Sequence, residues 1–208
     1  MATREIKKRP SADATRDKII KEARKLFAKK GFAATSISEI AGKAKINQSL
    51  IYHHFGSKEG LWTHIKTEIF EKFAEQQGIE IADYDKEKDA KSFITAIYNF
   101  RYDMYDKNPE LPRMITWQRM EASSSKLIGP RHSTIKQLVE IVERFQKEGQ
   151  ITDKYEAEEL IYVIFANAAF WFGDFQTINR KLSAKDKKTK KEQWRTMMLE
   201  MTIKELQP

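Results

Sequence analysis

The sequence of 208 residues contains no cysteine. Disulfides, thiolate metal ligands and thiol nucleophiles are therefore excluded, and a reducing, cytoplasmic setting is expected. The leading stretch MATREIKKRPSADA lacks an apolar core and does not read as a secretory signal. The most apolar run, Leu160–Phe172 (LIYVIFANAAFWF), spans thirteen residues, short of the roughly 20 that cross a bilayer. No stretch alternates with the period of a strand, and no internal repeat is present. Catalytic signatures are missing too: there is no P-loop, dinucleotide fingerprint, G-x-S-x-G or H-E-x-x-H. The four histidines are His53, His54, His64 and His132. Neighbours on a helix point about 100° apart, so His53 and His54 cannot chelate one ion as an i, i+4 pair would, and no metal or cofactor is expected. These exclusions point away from an enzyme.

What is present is a globular composition, 40% apolar and 33% charged, with a lopsided distribution of charge. Residues 1–60 hold fourteen Lys/Arg against six Asp/Glu, whereas residues 61–208 hold twenty-four of each. A basic pI spread evenly would carry no message; an excess confined to one end is what attraction to a polyanion predicts.

That basic end has a specific pattern. Ser36-Ile-Ser-Glu39 reads as a capping box opening a short helix whose Ile37, Ile40, Ala41 and Ala44 fall on one side. After Lys45-Ile46, Asn47 is a good N-cap for a second helix over Gln48–Phe55. Ile51 and Phe55 are expected inward, with Gln48, Ser49, Tyr52 and His53 toward solvent. Two short helices joined by a tight turn describe a helix-turn-helix, whose second helix enters the major groove. The exposed side chains suit base edges, sugar and phosphate, since Gln pairs bidentately with adenine and Ser serves either base or backbone.

Residues 16–64 resemble the DNA-binding domain of TetR-type repressors. The resemblance rests on Phe27-Ala28-Lys-Lys-Gly31-Phe32, Thr35-Ser36, Ile40-Ala41-Gly-Lys-Ala44 and Ile51-Tyr52-His53-His54-Phe55-Gly-Ser57-Lys58, all at the family's spacing. It implies an all-α chain: a helix-turn-helix domain over 1–57, and a helical bundle over 58–208 for effector binding and dimerisation. It also implies double-stranded operator DNA, a small largely apolar effector and a second copy of the chain as partners, with no membrane. Gln48, Ser49, Leu50, Tyr52 and His53 would address bases or sugar, and Thr35, Ser36, Tyr52 and Lys58 would hold phosphates. The sequence departs from the family at Lys45, where Gly is usual in the turn, and at Leu50, where Thr is usual.

The basic arm Arg4–Arg9 reads as a solvated tail, the other option being an arm in the minor groove. Helical periodicity marks Thr15–Lys30, stopped by Gly31, and a rod from Lys58 to Gln77, capped by Ser57 and stopped by Gly78. Residues 78–90 read as a polar connection. Further helices are expected over Ser92–Asp106, Pro109–Ala122 (with Asn108 as N-cap), Pro130–Gly149, Glu156–Phe175 and Glu192–Glu205, with the lysine-rich Arg180–Lys191 as a solvated loop. Leu160–Phe172 is apolar on every face and needs cover on every face, which a second subunit and the last helix would supply.

For an effector cavity, which the resemblance implies, the candidates are Phe100, Met104, Trp117, Gln118, Asn167 and Trp171. Each taken alone reads as core, and Asn167 must find a partner in the bundle, across a dimer or on a ligand, the first two being favoured, because an unpaired buried amide costs a few kcal/mol. The reading from another class is a helical carrier or enzyme with a generic basic end. Sequence-specific binding to a palindrome separates the two.

Overall fold

The computed structural model describes residues 12–121, 133–173 and 181–208. The basic arm and the first turn expected from Pro130 lie outside these residues, as do Ala122, His132 and Arg180. Among the described residues there are ten α-helices, a 3-10 turn and no strand: α1 Ala12–Lys30, α2 Ile37–Ala44, α3 Gln48–Phe55, α4 Lys58–Gln77, α5 Ile81–Tyr84, α6 Ala90–Lys107, α7 Glu110–Met120, α8 Ser133–Lys147, α9 Ala157–Ala169 running into the turn Phe170–Phe172, and α10 Ala184–Glu205. The all-α architecture expected from periodicity is the one observed.

Helices α1–α3 and the start of α4 close around Ile19, Ala23, Phe27, Ile40, Ile51, Leu61, Trp62 and Ile65, all fully buried. Trp62 sits edge-on to Phe27 at 5.0 Å and to Phe32 at 5.6 Å, so the first turns of α4 complete this core. Farther along the same helix Phe73 meets Phe100 of α6 at 5.1 Å. One continuous helix therefore contributes to both halves. The larger core gathers Phe93, Ile97 and Tyr98 of α6, Val142 and Phe145 of α8, and Ile161 and Ile164 of α9.

Helix α10 is fastened along α6 by polar groups. The Tyr98 and Tyr102 hydroxyls donate to the carbonyls of Arg195 and Lys191 at 3.3 and 3.2 Å, Arg195 forks onto Asn99 and Asp103, and Lys191 pairs with Asp106.

Four details differ from the expectations, each for a local reason. The lysine-rich segment is helical from Ala184, not from Glu192, because Ser183 caps it by accepting from Asp186 N at 3.1 Å and lysine is a good helix former. The connection 78–90 contains α5, whose Glu80 and Asp83 form a reciprocal capping box. Helix α6 starts at Ala90, not Ser92, because Asp89 caps it by accepting from Ser92 N at 2.7 Å. Asn108 closes α6, donating to Met104 O at 3.0 Å, so α7 starts at Glu110 with Pro109 in the cap position.

A second strut besides α4 joins the two halves. The Trp117 indole N–H of α7 reaches Ala28 O at 3.4 Å and its ring covers Gly31, while Arg24 of α1 pairs with Glu110 at 3.1 Å. Gly31 has φ +80°, and a Cβ there would stand 2.9 Å from the Trp117 ring. Gly31→Ala therefore carries both a left-handed backbone penalty and a clash. A loss of about 1–3 kcal/mol is expected in urea unfolding; a variant as stable as the parent would show that α7 does not press on this turn.

Candidate nucleic-acid interface

Three side-chain caps set the helix-turn-helix. Ser36 Oγ accepts from Glu39 N at 3.1 Å, Asn47 Oδ1 from Ser49 N at 2.9 Å, and Ser57 Oγ from Gly60 N at 2.9 Å. The return half of the first box is not made, because Lys30 takes the Glu39 carboxylate as an ion pair. Ile37, Ile40, Ala41 and Ala44 pack inward as their spacing requires. Gly60 is needed for close approach, since a Cβ on it would lie 2.1 Å from Phe55 O. Without a side chain there, the end of α3 can rest directly on the start of α4.

Helix α3 buries Ile51 completely and half-buries His54 and Phe55. Gln48, Ser49 and His53 are exposed, Tyr52 keeps 51% of its surface in solvent and Leu50 37%. The outward set is thus the one expected.

The candidate phosphate contacts are differently disposed. Ser36 is exposed at the start of α2, where unpaired backbone N–H groups and the helix dipole favour an anion. Thr35, by contrast, is 1% exposed, and its hydroxyl donates to Gly31 O at 2.7 Å. Lys58 Nζ donates to the carbonyls of Phe32 and Thr35, each at 3.0 Å, and lies 4.1 Å above the Phe32 ring. Two of its three donors therefore brace the loop before α2, leaving one for another acceptor.

The turn itself bends as the glycine it replaces would. Lys45 has φ 55° and ψ 49°, left-handed, and its N–H closes α2 on Ala41 and Gly42. Among the described residues it is the one non-glycine with positive φ. Next to the interface, His64 of α4 lies 2.6 Å from an Arg16 nitrogen, and its pKa is lowered from the usual value by burial and by that cation.

Four of the six effector candidates are engaged at different places. Trp117 and Gln118 face the seam between the halves, where Gln118 Oε1 accepts from Trp62 Nε1 at 3.3 Å and Lys66 Nζ at 2.6 Å. Phe100 packs edge-on to Phe70 and Phe73 of α4, and Met104 and Trp171 are 1% exposed. Asn167 finds its partner within the bundle, donating to Thr202 Oγ1 at 2.8 Å. Two open grooves, of about 520 and 540 Å³, are lined by none of the six. Lys66, which the periodicity did not single out, is a further finding: burial lowers its ammonium to about 8. Its signal was present only as a lysine one turn after Trp62 on the rod.

An exposed ridge on α3, over a braced three-helix platform joined to a larger helical bundle, defines a helix-turn-helix transcriptional regulator. Residues 19–65 match the family model for bacterial regulatory proteins of the tetR family, and residues 98–203 match a tetracyclin repressor-like C-terminal domain. The chain belongs to the TetR family. Among its relatives is the HTH-type transcriptional repressor NicS of Pseudomonas putida, 26% identical over 205 residues that cover 94% of this chain and 93% of that one. The HTH-type transcriptional repressor SCO4008 of Streptomyces coelicolor is 29% identical over 75% of this chain and 77% of its own. In fold the chain is similar to the transcriptional regulator FadR of Bacillus subtilis, solved with stearoyl-CoA, at a TM-score of 0.69 and 16% identity over 92% of this chain and 99% of that one. No helix among the described residues is long and apolar enough to cross a membrane, and none of their His, Asp or Glu residues form a metal-binding group.

Replacing Lys45 by Gly removes the left-handed penalty without touching a buried group. Thermal unfolding should show a gain of about 1 kcal/mol; no gain would mean that the lysine side chain compensates through contacts of its own.

Proposed function

We propose that the chain represses transcription as a homodimer on a palindromic operator and is released by a small effector taken up in the bundle. In this reading the division at 57/58 is functional: residues 1–57 meet DNA and residues 58–208 sense and dimerise. It acts in the cytoplasm and binds without catalysing. The observation that carries the reading is α3, with Ile51 inside and Gln48, Ser49, Tyr52 and His53 outside. Leu50 adds an apolar contact, suited to a thymine methyl.

Of the phosphate contacts, Ser36 acts directly. Lys58 offers its third N–H, and Thr35 serves by shaping the loop that presents Ser36. The dimer is supported by what α9 and α10 leave uncovered. Tyr162, Val163 and Phe170 remain 49%, 42% and 52% exposed, and Met197 and Met201 add 40% and 51% on α10. Phe170 stacks on Trp194 at 5.5 Å, which joins the two helices' apolar surfaces. A second copy pairing through this patch would set two α3 ridges one helical turn of DNA apart, about 34 Å.

A gel shift against palindromes from the chain's own genomic neighbourhood tests this reading. Tight binding that depends on both half-sites is expected, and only salt-sensitive, sequence-blind association would overturn it. Gln48→Ala should relax preference at one base position per half-site, a cost of about 1–3 kcal/mol there. Lys58→Ala should weaken all sequences alike and lower the salt slope by about one unit; an unchanged slope would confine Lys58 to bracing the loop. Met201→Glu should convert the dimer to monomers in sedimentation and abolish half-site cooperativity, whereas a stable dimeric variant would move the interface elsewhere.

A further inference from the structure

We propose that His64 is a positioning residue for sequence recognition: one ring nitrogen holds Arg16 of α1, and the ring itself seats Phe55, the last residue of the recognition helix. The proposal rests on the regulator reading above and adds a residue outside the DNA-facing set on which discrimination between sequences depends.

His64 lies half-buried in the second turn of α4, where α1 and α3 both reach it. Its Nε2 stands 2.6 Å from one terminal guanidinium nitrogen of Arg16. A guanidinium carries donors only and keeps its proton at any ordinary pH, so a contact this short makes His64 the acceptor. That requires a neutral imidazole with its proton on Nδ1. The other terminal nitrogen of Arg16 is held by Glu68 at 3.6 Å, and Glu68, only 9% exposed, pairs in turn with Lys72 at 2.7 Å.

The same ring packs on α3. Its centroid is 5.2 Å from that of Phe55, with the planes tilted by 51°. Phe55 ends α3, and its carbonyl lies so close to Gly60 of α4 that no side chain would fit there. Tyr52 and His53 are only three and two residues back on this eight-residue helix. A helix that short moves as one piece, so a displaced Phe55 carries the outward side chains with it.

Protonation of His64 undoes the arrangement, because it removes the accepting lone pair and sets an imidazolium against a guanidinium. The charged groups facing the ring are Arg16 from α1 and Glu68, Glu71 and Lys72 from α4. Helix α3 contributes His54, whose ring is 6.0 Å from Phe55, and His53, 5.4 Å from His54. Burial and then Arg16 hold the His64 pKa below the ordinary imidazole value against the pull of Glu68 and Glu71, with Lys72 adding to the depression. The contact is therefore complete above the ordinary value and is lost as pH falls through the depressed one.

The test compares affinities of the full chain for the palindrome selected by gel shift and for an unrelated duplex of equal length, at about pH 7.5 and pH 5. An added proton strengthens attraction to any DNA, and the ratio of the two affinities removes that contribution. In the parent the ratio should fall about 5- to 10-fold in acid. His64→Gln supplies an acceptor and cannot titrate, so its ratio should fall less by that factor; His53 and His54 titrate in both chains and cancel. His64→Leu fills the space without accepting, and its ratio should be low at both pH values. If that variant does not fold by circular dichroism, nitrogen NMR of the parent free of DNA decides: Nε2 of His64 should be unprotonated and Nδ1 protonated at the higher pH. A proton on Nε2, a His64→Leu ratio equal to the parent's, or a His64→Gln ratio that falls as steeply as the parent's would each overturn the proposal. Any of these in a chain that still selects its palindrome leaves the regulator reading intact. A parent that selects no sequence at either pH overturns both.

Discussion

The indole of Trp62 belongs to two packing units at once, and the arrangement of the protein depends on it. Its ring is fully buried against Phe27 and Phe32, in the platform that supports the recognition helix. Its N–H points the other way, to Gln118 of α7, which also accepts from Lys66. Close-packed interiors do not let a side chain of this size drift, so α7 and the platform keep a fixed relation unless the whole contact repacks. Arg24 on Glu110, Trp117 on Ala28, and Glu121 accepting from Ala33 N at 2.9 Å repeat the same seam. Movement within the bundle therefore has two routes to α2 and α3, along α4 and across α7.

The platform was legible because its determinants are local. Ser36, Asn47 and Ser57 each act on a backbone N–H two or three residues away, and spacing in the sequence shows such pairs directly. Even there, competition from outside the motif changed one detail. Glu39 had an apparent partner three residues back, but Lys30 from the preceding helix took its carboxylate. The seam was not legible, because Gly31 and Trp117 meet across more than eighty residues without any periodic signature. The residues of α5 illustrate the same limit: Tyr84 sits in a polar, charged stretch and yet is buried by α6 and α8.

The bundle teaches a different lesson about clusters of large side chains. Phe100, Trp117, Gln118 and Asn167 all read as bundle residues but turn to different neighbours, on α4, at the seam and on α10. Sequence density of aromatics reports how much core there is, and a helix then distributes it around its circumference.

The polar ladder between α6 and α10 has a mechanical meaning. Asn99, Asp103 and Asp106 on one helix engage Arg195 and Lys191 on the other, with Tyr98 and Tyr102 bonding to the backbone between them. Sliding one helix past the other by a single turn would break all these attachments together, so they mesh as a rack meshes with its gear. The surface carried by Met197 and Met201 is thereby geared to α6, so that neither can slip lengthwise without the other.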